Sequence, residues 1–102
     1  MQMSSNEWND LEKQFRELKA MHNMITQIIC YTHGSSHKLF KTNCTIEKYI
    51  GAIQDKLDSI VCECYLNIDY LPDNDIKLTK IFMMHVMKNI YFQMECIILE
   101  QY

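Results

Sequence analysis

Residues Asp75 to Tyr102 read DIKLTKIFMMHVMKNIYFQMECIILEQY, with no glycine, no proline and only a thin scatter of charge. At about 100° per residue, this stretch predicts an α-helix whose apolar arc is roughly 160° wide. An ordinary surface helix buries a stripe of about 100°, so this helix needs neighbours on more than one side. The arc consists of Ile76, Met83, Met84, Val86, Met87, Ile90, Tyr91, Met94, Ile97 and Ile98.

A second, narrower apolar patch lies on the same predicted helix, beyond a polar strip formed by Lys77, Lys88 and Glu95. Charged and polar residues interrupt the stretch too often for a membrane span, which requires about 20 consecutive, mostly apolar residues. We therefore expect a helix that packs against protein and not against lipid. The second patch consists of Leu78, Ile81, Phe92, Cys96 and Leu99.

The first third of the chain carries an apolar seam that alternates steps of three and four residues. This spacing is typical of a helix with a heptad repeat, and it predicts a helix over residues 5–33. Gly34 follows directly and can adopt the left-handed conformation that ends many helices. The seam consists of Trp8, Leu11, Phe15, Leu18, His22, Ile25 and Ile29.

A second seam of the same spacing predicts a helix over residues 44–70, with Asn43 or Thr45 as its capping residue. Pro72 disfavours a helical conformation at the residue before it, so a turn should separate this helix from the last one, over residues 75–101. Gly51 lies inside the second helix at a cost of about 1 kcal/mol relative to Ala, which indicates a close helix crossing there. The seam consists of Ile46, Ile50, Ile53, Leu57, Ile60 and Cys64.

These patterns predict one all-α domain over residues 1–102, built as an elongated bundle of three long antiparallel helices. A helix of about 27 residues is about 40 Å long, which is long for a chain of this size. Two partner helices from the same chain should leave much of the last helix uncovered. We therefore expect dimerisation or a partner helix to complete the bundle. The predicted partner-binding residues are Met83, Met87, Ile90, Met94 and Ile97.

Composition and the absence of known motifs argue against several classes of function. The net charge of −3 and the single arginine, Arg16, give no electrostatic footprint for nucleic acid. The sequence contains no glycine-rich phosphate loop and no G-x-S-x-G or H-E-x-x-H motif, so we expect neither an enzyme nor a small-molecule substrate. The favoured interpretation is an intracellular, cytoplasmic or nuclear helical interaction module, present as a homodimer or as a subunit of a larger complex.

The cysteines leave an alternative open. Their odd number, five, does not fit a compact disulfide framework, and most are expected to pack as small apolar residues. Cys30 and His33 stand one turn apart at the end of the first predicted helix, and the following connection could bring back His37 and Cys44. Two thiolates and two imidazoles make an acceptable tetrahedral zinc set. The alternative function is therefore a small zinc-stabilised helical regulatory domain, although this spacing matches no standard zinc motif.

Metal analysis tests that alternative. If these four side chains hold zinc, protein prepared without chelator should contain close to one zinc ion per chain. Because the binding energy of a structural zinc is folding energy, a strong chelator should then lower the helix content measured by circular dichroism. Zinc near zero, with helix content unchanged in chelator, would exclude the zinc domain.

Overall fold

The computed structural model describes residues 5–32 and 38–100, and all the described secondary structure is helical. Helix α1 spans Ser5–Thr32, α2 spans Lys38–Leu66 and α3 spans Asp73–Glu100. The expectation of an all-α fold with three long helices is thus confirmed.

The three helices form one elongated bundle in which each packs against the other two. Short connections make α2 antiparallel to both neighbours, so α1 and α3 run in the same direction. The bundle measures 54 × 21 × 16 Å, and its radius of gyration is 16.2 Å. A compact globule of about 100 residues would have a radius of gyration near 13 Å, which shows how far the helix length stretches the molecule.

The core lies along the shared axis of the helices and is formed by the two predicted seams together with one stripe of α3. In α1, all seam residues after Trp8 are buried, and Trp8 packs against the core at its edge. The α2 seam is buried except for Ile50, which is half-buried. The buried hydrophobic residues of α3 are Ile76, Met83, Val86, Ile90 and Ile97.

Helix α2 begins six residues earlier than predicted. The helix was expected to begin at residue 44 with Asn43 or Thr45 as its cap, but Lys38 is the first helical residue and Asn43 is buried inside the helix. Leu39 and Phe40 pack against the core, and this packing keeps the segment helical. Tertiary contact therefore overrides the capping preference of asparagine.

Two side-chain contacts between helices explain how Asn43 is tolerated in the core. Its Oδ1 accepts a hydrogen bond from Thr26 Oγ1 at 3.0 Å, and its main-chain oxygen lies 3.3 Å from His22 Nε2. One turn earlier in α2, the main-chain oxygen of Leu39 accepts a hydrogen bond from Gln93 Nε2 of α3 at 3.1 Å. A polar layer thus joins all three helices near the start of α2, although Asn43 Nδ2 and Gln93 Oε1 have no partner among the described residues.

Helix α2 also ends earlier than predicted, at Leu66 instead of residue 70. The side chain of Asn67 accepts a hydrogen bond from the main-chain N–H of Asp69 at 3.0 Å, and its main-chain oxygen accepts from Tyr70 at 3.1 Å. Asparagine readily forms such turns because its short side chain mimics a backbone carbonyl. The turn, and not Pro72 alone, therefore ends the helix.

A small cluster of three side chains stabilises the connection between α2 and α3. The phenol of Tyr70 donates a hydrogen bond to Asp75 Oδ2, and Lys56 Nζ lies 3.6 Å from Asp75 Oδ1. Partial burial, and then the hydrogen bond to the Asp75 carboxylate, raise the pKa of Tyr70 well above its usual value. Asp75 also lies in the first turn of α3, where a negative charge suits the helix dipole.

This cluster should make the bundle sensitive to alkali. A phenol whose pKa rises on folding stabilises the folded state fully below its ordinary pKa of about 10, and that stabilisation is lost as the pH rises toward the folded-state value. Tyr70→Phe should cost about 1–2 kcal/mol near neutral pH. The difference between the two proteins, measured by urea unfolding, should shrink above about pH 10. A difference that does not depend on pH would contradict the hydrogen bond.

Gly51 does not mark a close helix crossing. The residue is exposed, and a Cβ added there would meet nothing within 4 Å. The sequence-based interpretation was therefore wrong, and the glycine is a weak point on the solvent side of α2.

Gly51→Ala should consequently stabilise the protein by about 1 kcal/mol, because alanine loses less backbone freedom in a helix and meets no steric conflict. Ala52→Gly, at the neighbouring exposed position, is the matched control and should destabilise by a similar amount. Urea unfolding midpoints measure both changes. An unchanged or lowered midpoint for Gly51→Ala would show that something approaches this glycine closely.

Candidate interaction surface

Helix α3 keeps a large apolar surface exposed after its own chain has packed against it. Helices α1 and α2 cover the stripe that contains Ile90, but large side chains remain exposed on both flanks and on the outer side. Contiguous exposed patches larger than a few hundred Å² are uncommon on monomeric proteins and mark interaction sites. The exposed large apolar residues of α3 are Leu78, Ile81, Phe82, Met84, Tyr91, Phe92, Met94, Ile98 and Leu99.

The most continuous part of this surface is a groove between α1 and α3, called here the α1–α3 groove. Because the two helices are parallel, the groove runs along the bundle from the N-terminal ends of both helices to their C-terminal ends. Its floor includes the buried side chains of Leu18, Ile25, Met83 and Ile97. These are core residues, so the groove opens directly onto the hydrophobic core.

Both rims of the groove follow a heptad spacing. Steps alternate between three and four residues on each helix, which places every rim side chain on one face. Such spacing suits knobs-into-holes packing against a further helix. The α1 rim consists of Gln14, Glu17, Met21, Met24 and Ile28, and the α3 rim consists of Met84, Met87, Met94 and Ile98, with Tyr91 on the same helix face by its spacing.

Methionine is concentrated in this groove. All six methionines within the described residues line its floor or rims. Methionine has a flexible, polarisable side chain and is over-used on surfaces that adapt to another protein. The six residues are Met21, Met24, Met83, Met84, Met87 and Met94.

The polarity of the α1–α3 groove changes along its length. Its upper half, near the C-terminal ends of α1 and α3, is lined entirely by apolar side chains, including Met24 and Ile98, which are 63% and 52% exposed. Its lower half has acidic residues on α1, Glu7 and Asp10, that face basic residues on α3. The basic residues are Lys77 and Lys80, and Asp73 in the first turn of α3 lines the same segment. No salt bridge crosses the groove among the residues that the structure describes.

The other two grooves of the bundle are less suited to a helix. The α1–α2 groove is lined largely by charged and polar side chains, among them Arg16 and Asp58. The α2–α3 groove is partly occupied by an edge-to-face contact of Tyr49 with Phe82, whose ring centroids are 5.9 Å apart. The α1–α3 groove is therefore the candidate interaction surface.

The structure corrects the predicted set of partner-binding residues. Met83, Ile90 and Ile97 are 3%, 0% and 5% exposed, because α1 and α2 of the same chain cover the central stripe of α3. Met87 packs at the edge of the core, and Met94 is exposed on the α3 rim. The apolar arc was correctly identified, but its centre belongs to the core and its flank to the groove.

The contribution of α1 to this surface was missed. Met21, Met24 and Ile28 continue the 3–4 spacing set by Gln14 and Glu17, one stripe beside the α1 seam. That periodicity was available in the sequence. What it lacked was the side of α1 on which α3 packs, which decides which flank of the seam meets the methionines of α3.

The predicted zinc ligands are only partly within the described residues. Cys30 is exposed on α1 and Cys44 is half-buried on α2, whereas His33 and His37 lie outside the described residues. Within residues 5–32 and 38–100, no group of three or more His, Cys, Asp or Glu side chains could hold a metal ion. The zinc site therefore stays a prediction.

Comparison with known proteins adds no functional information. No family model matches the chain, and neither a curated protein nor a solved structure matches it. Among the described residues, no helix combines the length and the apolar character that crossing a membrane requires.

Proposed function

We propose that this protein is a non-enzymatic helical interaction module that self-associates through the α1–α3 groove. The observation that carries the proposal is the pair of heptad-spaced rims, which are left exposed over a floor of core residues. In a second copy, the same rims would supply the helices that the groove lacks. The two α1 and two α3 helices would then form a four-helix core.

The apolar character of the upper groove supports this proposal. Burying an exposed side chain such as Met24 or Ile98 contributes about 25 cal/mol for each Å² of apolar surface removed from water. A stable interface takes about 800 Å² from each partner, so the exposed apolar residues of both rims would have to be buried together. Association would also cover the methionines, whose flexible side chains fill irregular gaps well.

Self-association is favoured over a foreign helix because the groove carries both signs of charge. A homodimer with two-fold symmetry uses the same surface on both copies, so that surface has to be complementary to itself. The acidic residues of α1 and the basic residues of α3 meet this condition. An intracellular location, in the cytoplasm or nucleus, is part of the proposal and is supported by the five unpaired cysteines, which suit a reducing compartment.

Substitution in the upper groove tests the proposal. The native chain should sediment as a dimer at tens of micromolar. Met24→Glu combined with Ile98→Glu should weaken association by about a hundredfold or more, because a carboxylate buried without a partner costs several kcal/mol. Both side chains are largely exposed in the single bundle, so circular dichroism should show that the helices are retained.

The outer side of α3 provides the matched control. Phe92 and Leu99 are 65% and 73% exposed and lie away from the groove, so Phe92→Glu combined with Leu99→Glu should leave the dimer intact. A native chain that is monomeric at this concentration would refute self-association and leave a helix of another protein as the occupant. A dimer that resists the groove variant and is split by the outer variant would place the interface on the outer face.

A further inference from the structure

We infer that the second copy docks in parallel, with the acidic residues of α1 against the basic residues of α3 from the other copy. This inference rests on the proposed self-association through the α1–α3 groove and adds its geometry. It follows from the way in which a two-fold axis would place the two rims of one copy against those of the other, and from the positions of four charged residues. These residues are Asp10, Glu17, Lys77 and Lys80.

Two kinds of two-fold axis can bring two α1–α3 grooves face to face. An axis along the helices places α1 of one copy against α3 of the other and keeps all four helices parallel. An axis across the helices places α1 against α1 and α3 against α3, each pair antiparallel. The two arrangements therefore bring different rims together at different heights.

The parallel arrangement keeps each residue at its own height along the bundle. Asp10 lines the same segment of the groove as Lys77 and Lys80, and Glu17 lines the next segment together with Lys80. Rotation about an axis along the helices therefore brings the acidic side chains of one copy to the basic side chains of the other. By symmetry this contact forms twice, while the apolar upper halves meet each other.

The antiparallel arrangement places the same charged residues in unfavourable surroundings. With the axis at mid-length, Asp10 of one copy would face the Ile28 end of the other copy's α1, and Glu17 would lie close to Glu17 of the other copy. The lysines of α3 would likewise face the Met94 and Ile98 end of the other α3. Placing charge against apolar side chains removes its hydration without supplying a partner. Moving the axis toward the apolar end avoids this clash but leaves the lower halves of both grooves uncovered.

The absence of ion pairs among these exposed charged residues of the described chain agrees with the parallel geometry. In the single bundle, Asp10, Glu17, Lys77 and Lys80 are all exposed, and none of them forms an ion pair within the described part of the chain. Complementary charges across an interface mainly select the partner and its orientation. Here they would select a parallel copy over an antiparallel one.

Charge reversal tests the orientation. Lys77→Glu with Lys80→Glu makes both rims acidic, and Asp10→Lys with Glu17→Lys makes both rims basic. In a parallel dimer each variant alone sets like charges against each other, so its dissociation constant at low salt should rise about ten- to a hundredfold. A mixture of the two variants restores both contacts, so it should form a heterodimer with an affinity near that of the native chain.

A third variant controls for unspecific attraction between oppositely charged proteins. Asp55→Lys with Asp58→Lys changes the net charge by the same amount as the basic variant, but on the exposed face of α2. Mixed with the acidic variant, it should give no heterodimer of native affinity. Added salt should narrow all these differences, since the screening length falls to about 8 Å at physiological ionic strength.

The outcomes separate the two proposals. If the native chain is a monomer, self-association itself fails. If the native chain is a dimer but both reversed variants dimerise equally well, and mixing adds nothing, the dimer stands and the parallel geometry is wrong. Rescue that also occurs with the α2 control variant would likewise refute the pairing of the two rims.

Discussion

The structure depends on one geometric constraint: a helix of the length and apolar width of α3 has more surface to cover than two neighbours can reach. Helices α1 and α2 enclose the stripe through Ile90, which is fully buried. On the flank of α3 that faces α1, Met84, Tyr91 and Ile98 remain exposed to solvent. Since burial of apolar surface is the main driving force of folding and association, this exposed flank is the basis of the proposal that a further helix completes the bundle.

The same constraint explains why the groove lies where it does. The turn through Asn67 and Tyr70 reverses the chain after α2, and α2 runs antiparallel to α1, so α1 and α3 become parallel neighbours. Parallel direction aligns Met24 with Met94 in the apolar half and Asp10 with Lys77 in the charged half. The interaction surface is thus a product of topology, because neither helix alone contains both rims.

Much of the architecture was predictable from hydrophobic periodicity. The two seams identified nearly all of the core of α1 and α2. The wide arc of α3 correctly indicated a helix whose apolar surface two neighbouring helices do not fully cover. Periodicity failed where a single polar residue was decisive. Asn43 was one of two expected caps, yet it is buried and hydrogen-bonded to Thr26, and Gln93, a polar residue within the last helix, is only 1% exposed. Such residues depend on contacts between distant helices, which no local pattern reveals.

The candidate site was only partly predictable for a similar reason. The sequence shows how wide an apolar arc is, but not which part of it the rest of the chain will cover. Met83 and Ile97 were therefore assigned to a partner, although α1 and α2 bury them. Met94, also assigned to a partner, is exposed, and its role as a binding residue stays a prediction. The α1 rim could be identified only once the fold showed on which side of α1 helix α3 packs.

Small-angle X-ray scattering of the native chain tests the central claim most directly, because it reports mass and length together. Two copies joined side by side through their α1–α3 grooves should give a mass near twice 12.2 kDa and a longest dimension close to that of one bundle, 54 Å. The mass of a single chain, with no dependence on concentration, would contradict the account. So would a doubled mass in a particle nearly twice as long, since that would mean end-to-end association.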